Sequence, residues 1–94
     1  MNIYDRLICT LRMRPPDSLM RSRLPDGCTR QVFKTEDPET GEDLTIVLHE
    51  IQRTRLFVFR GDPSARNRQT LTGSLLEALH EKLTSKKSKT FTEN

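Results

Sequence analysis

Arg30-Gln-Val-Phe-Lys-Thr35, Glu36-Asp-Pro-Glu-Thr-Gly-Glu-Asp43, Leu44-Thr-Ile-Val-Leu-His-Glu-Ile51 and Leu56-Phe-Val-Phe-Arg60 together decide the fold. The β-branched and aromatic residues of these runs are most easily buried as sheet. They predict an antiparallel meander over 28–60. Its first reversal falls at Thr40-Gly41, between charged flanks. In the middle run Leu44, Ile46 and Leu48 face one way and Thr45, Val47 and His49 the other. Both sides are apolar at the centre, as expected of a central strand with helices over one face. The next reversal, Gln52-Arg53-Thr54, lacks Gly, Pro and Asn and carries the weakest turn chemistry in the chain. In the third strand Leu56 and Val58 share a face, and Arg53, Arg55, Phe57 and Phe59 share the other.

Outward from the meander, residues 2–13 satisfy two patterns. Ile3, Tyr4, Leu7, Ile8 and Leu11 make a helical stripe, whereas Leu7, Cys9, Leu11 and Met13 alternate as in a strand. Asn2 as a cap and Asp5 in the first turn favour the helix. Pro15-Pro16 ends either element. Residues 15–27 read as a wrapping loop with a turn at Pro25-Asp26-Gly27, tucking in Leu19, Met20 and Leu24 and displaying Arg21 and Arg23. Residues 64–70 read as a polar loop or a single helical turn. A second helix starts near Ser74, where Ser74-Leu-Leu-Glu77 forms a capping box, and its stripe is Leu75, Leu76, Leu79 and Leu83. The fold class expected is α+β: an N-terminal helix, a three-stranded antiparallel β-meander and a C-terminal helix packed on one sheet face. One small domain covers 1–84, followed by a disordered polar tail at 85–94.

Of the 94 residues, 33% are hydrophobic and 31% charged, with no Trp and one Tyr. A chain of this size buries only about 60–65% of its unfolded surface, so the core is small. The net charge is +3, but its distribution says more. Residues 36–43 hold five acids and no base, while the stretches before and after each sum to +4. An acidic tip therefore sits on a basic body in which Arg outnumbers Lys eleven to five. Arg favours bidentate contacts to phosphate or carboxylate, although a solvated surface accounts for the same charges.

Two cysteines are too few for a small secreted disulfide scaffold. Met1-Asn2-Ile3 leads into Asp5 and Arg6 without a signal-peptide pattern, and no apolar run reaches a membrane span. The expectation is a reduced, cytoplasmic protein with no membrane partner.

Cys9, Cys28, His49 and His80 are a zinc inventory in type but not in spacing, since structural sites present ligands in close pairs. Neither histidine neighbours an oxyanion-hole loop, Glu42 and Asp43 lie in an exposed turn, and the four glycines are isolated. No catalytic residue, metal or cofactor is assigned, and a non-enzymatic role is expected.

The basic residues are more informative. Arg53, Arg55, Arg66, Arg68, Lys86 and Lys87 are candidate nucleic-acid contacts, with Arg12, Arg14, Arg21, Arg23, Arg60, Lys82 and Lys89 adding to the basic surface. A strand face that alternates Arg with aromatics suits single strands, whose bases stack on rings while cations track phosphates. The competing account places Phe57 and Phe59 in the core, with Arg53 and Arg55 beyond its edge. The acidic tip would be repelled by a phosphate backbone and must point away from it. Two functions follow. One is a small non-catalytic regulatory protein associated with DNA or RNA. The other is a protein-binding inhibitor or adaptor acting on a larger enzyme or complex, marked by an exposed apolar patch or an open sheet edge.

Overall fold

The computed structural model describes the backbone of residues 1–21, 29–50 and 52–92, and side chains through Thr84. The order is α1 (Ile3–Arg12), β1 (Ser18–Arg21), β2 (Thr29–Glu36), β3 (Asp43–His49), β4 (Arg55–Arg60), a 3-10 turn (Ala65–Asn67) and α2 (Gly73–Thr92). The four strands form one antiparallel sheet in the order β1-β2-β3-β4.

The class is α+β, with one strand more than the meander expected. The added strand is β1, from a stretch that reads as loop. Its pairing is non-local: Ser18 sits opposite Val32 and Met20 opposite Arg30. Asp17 fixes the entry, donating its N–H to the Val32 carbonyl (2.8 Å) and accepting from the Lys34 N–H through Oδ2 (2.6 Å). Leu19 does not tuck in; it is 63% exposed. Met20 is half-buried, and the expected Pro25-Asp26-Gly27 turn, with Arg23, Leu24 and Cys28, lies outside the described residues.

Helix α1 forms as the cap signal predicts, with Asn2 Oδ1 accepting from the Asp5 N–H at 2.8 Å. Helix α2 starts one step earlier than expected. Its cap is Thr72, whose Oγ1 accepts from the Leu75 N–H at 3.1 Å, so Ser74 and Glu77 do not begin the helix as a capping box. Its backbone is helical to Thr92, across positions expected as a disordered tail. Residues 84–92 contain no Gly or Pro to stop it, and their lysines are good helix formers.

The main core joins Leu7, Ile8 and Leu11 of α1 and Leu76, Leu79 and Leu83 of α2 to Phe33, Leu44, Ile46, Leu48, Leu56 and Val58 of the sheet. Strand alternation therefore sends the other side chains to the opposite sheet face. Val32 and Val47 are buried there, outside the main cluster. The acidic hairpin closes on Asp37, whose Oδ1 accepts from the Glu39 and Thr40 N–H groups, while Gly41 takes the left-handed φ of 79°. At the β3–β4 reversal Gln52 adopts φ 65°. With no glycine available, an L-residue carries that left-handed geometry.

Candidate nucleic-acid interface

Four cross-strand rows make up the sheet face opposite the main core. Met20 pairs with Arg30, and Arg55 with His49. Arg30 and His49 are joined through Arg30 Nε–H donating to His49 Nδ1 at 3.2 Å. The second row is Ser18, Val32, Val47 and Phe57, and the third is Lys34, Thr45 and Phe59. The fourth row, Glu36 with Asp43, is acidic and closes the end of the face away from His49. The Lys34 ammonium donates to Thr45 Oγ1 (3.2 Å), and Thr45 donates on to the Gly61 carbonyl (2.6 Å).

Phe57 and Phe59 are not members of the main core. They are half-buried on this second face, with ring centroids 6.4 Å apart and planes 25° apart. The account that buries them with the helix leucines therefore fails. Phe33, on the core-facing side of β2, occupies the core instead, and the leucines of two helices complete it without them.

After Gly61 the chain runs back along the free edge of β4. Phe59 and Arg68 form an isolated antiparallel bridge, and the Gln69 N–H donates to the Val58 carbonyl at 2.8 Å. That return sets the Arg68 guanidinium over the Phe57 ring, 5.8 Å from its centroid. Two clefts meet at Phe57 and Arg30. One, of about 520 Å³, is lined by Arg30, His49, Gln52, Arg53, Arg55 and Phe57. The other, of about 310 Å³, lies between Met20, Phe57, Phe59, Pro63 and Arg68.

Of the residues singled out from sequence, Arg53, Arg55 and Arg68 come together around Phe57. Arg66 is exposed on the 3-10 turn and lines neither cleft. Lys86 and Lys87 lie on α2, with side chains outside the described residues. Arg30, His49, Met20 and Gln52 belong to the face and were not singled out for it. Only strand register reveals Arg30 and His49 as neighbours, because it depends on where the acidic hairpin turns.

The acidic row lies next to the Phe59 row but at the far end of the face from the arginines. Asp43 and His49 close opposite ends of β3. Six residue steps at ~3.4 Å put roughly 20 Å between them. Two of the tip's acids also face cations: Glu42 approaches Arg60 at 3.7 Å and Glu36 approaches Lys82 at 3.6 Å.

Among the described residues no three His, Cys, Asp or Glu side chains gather where a metal ion could sit, and no helix is long and apolar enough to cross a membrane. Compared with known protein families, curated proteins and solved structures, the chain matches none.

Proposed function

We propose that this is a small non-catalytic binding protein, regulatory in role, that associates with nucleic acid through the sheet face opposite its main core. One observation carries the reading: Arg30, Arg53, Arg55 and Arg68 gather around the half-buried Phe57, which stacks with Phe59, at the end of the face away from its acidic row. Like charges gathered beside an apolar floor repel one another, and a polyanion relieves that repulsion while releasing its own counterions. Nothing in the face presents a helix or a β-ribbon to a groove, so contacts run to phosphate more than to base edges and binding tolerates sequence.

The test is fluorescence anisotropy at several salt concentrations with single-stranded and duplex oligonucleotides. Binding should weaken steeply with salt, each neutralised phosphate contributing about −0.9 to the log–log slope on duplex and about −0.7 on a single strand. Replacing Arg53 and Arg55 together by Gln should flatten the slope by roughly one to two units. Absence of binding to either form at low salt would remove this reading in favour of the protein-binding one. For that alternative the relevant feature is Leu19, exposed on the edge strand β1.

A further inference from the structure

We infer, resting on the reading above, that the ligand of this face is single-stranded, with bases stacked on Phe57 and Phe59 and phosphates following the Arg30–Arg53–Arg55 cleft. The ring spacing is the first reason. Bases within one strand of a duplex rise by about 3.4 Å per step. The two rings are 6.4 Å apart, so bases seated on both are splayed from each other. Only an unpaired strand has base faces to offer, because pairing and stacking cover them in a duplex.

The second reason is the division of chemistry along β4. Arg55 starts the strand and Phe57 and Phe59 follow it on the same face, so an apolar stretch of floor continues directly into a cationic one. The cleft over the rings is closed at its side by Pro63 and Arg68, and its volume of about 310 Å³ matches the lower end of sites that take one small ligand. The Arg68 guanidinium already lies against Phe57, so it is placed both to stack on a base and to meet the adjoining phosphate. The cationic cleft, about 520 Å³, has no apolar anchor besides Phe57, which suits a sugar–phosphate backbone rather than a base. Sheet-borne aromatics with flanking cations bind single strands in this way because every base has a π-face.

The experiment uses the full chain and three labelled probes: a deoxythymidine oligomer of roughly ten nucleotides, within the ~4–16 nucleotide sites of such surfaces, an abasic deoxyribose-phosphate oligomer of the same length, and a duplex. The deoxythymidine oligomer should bind more tightly than the other two. Phe57→Leu keeps an apolar side chain but removes the flat π-face. It should weaken deoxythymidine binding roughly 5- to 150-fold and leave the salt slope unchanged. Phe57→Tyr should restore the affinity, which separates stacking from a folding defect. Equal binding of all three probes, with Phe57→Leu neutral, would overturn the single-strand inference while the nucleic-acid reading stood. No binding of any probe at low salt would overturn both.

Discussion

The Arg68 guanidinium lies 5.8 Å from the centroid of the Phe57 ring, although the two residues come from different segments and only chain reversal at Gly61 brings them together. The contact depends on the bridge between Phe59 and Arg68 and on the Gln69 N–H bond to the Val58 carbonyl. A polar loop is thereby fixed against the edge of the sheet with its cation over an aromatic face. The face opposite the core consequently combines two properties that seldom coincide on a solvated surface: accessible rings, and guanidinium groups held in register with them.

Leu79 tests the other face. It is fully buried at the centre of the helix–sheet cluster. Leu79→Ala removes packing on every side and should cost about 2–4 kcal/mol, a large share of a small domain's stability. Urea denaturation reads this as a fall in midpoint. An unchanged midpoint would mean that α2 does not contribute to the core.

Thr72 and Ser74 separate the observed helix start from the one expected. Thr72 Oγ1 accepts the Leu75 N–H. Thr72→Ala should therefore cost about 1 kcal/mol, whereas Ser74→Ala, inside the first turn, should be close to neutral. The reverse ranking in thermal melts would restore the Ser74 capping box.

How far the fold is legible follows from the same two residues. Ser and Thr two residues apart offer equivalent caps, and local propensity does not choose between them. The meander is legible because its large apolar residues alternate over 44–59, a signal carried within each strand. Strand β1 is not, because four residues with two apolar side chains become a strand only through pairing with β2. The site divides in the same way. Arg55, Phe57 and Phe59 follow from alternation along one strand, whereas Arg30 needs the register of a second strand and Arg68 needs the return of the chain along the edge of β4.

Gln52 is a place where the chain gives up stability. Its φ of 65° is left-handed, a geometry costing an L-residue about 1–2 kcal/mol. Glycine removes that cost but loses more backbone entropy on folding, offsetting about 0.4–1 kcal/mol of the gain. Gln52→Gly should then stabilise by roughly 0.5–1 kcal/mol, and the β-branched Gln52→Val should destabilise. Chemical denaturation of the pair measures the difference, and a destabilised glycine variant would contradict the left-handed turn.

A chain ending at Thr84 should unfold cooperatively, because every buried residue of the main cluster lies at or before Leu83. Loss of a cooperative transition would show that 85–94 are needed for the fold. A retained transition with a flatter salt slope would assign Lys86 and Lys87 as phosphate contacts.

Arg66 and Arg68 provide the sharpest comparison, since they have the same charge and are two residues apart. Arg68 stands over Phe57 and lines the cleft between the rings and Pro63, while Arg66 is exposed on the 3-10 turn and lines neither that cleft nor the Arg30–Arg55 one. Arg68→Gln removes both a phosphate partner and a stacking plane. It should flatten the log–log salt slope by roughly 0.7 on a single strand and also lower affinity in the high-salt limit, where the electrostatic contribution is screened. Arg66→Gln should change the slope less and leave the high-salt affinity untouched. Neither should alter the melting transition, because neither side chain belongs to the main cluster. Anisotropy titrations of the two variants across a salt series give both quantities. Equal effects would mean that net charge alone governs binding, and that the placement of Arg68 over Phe57 has no part in it.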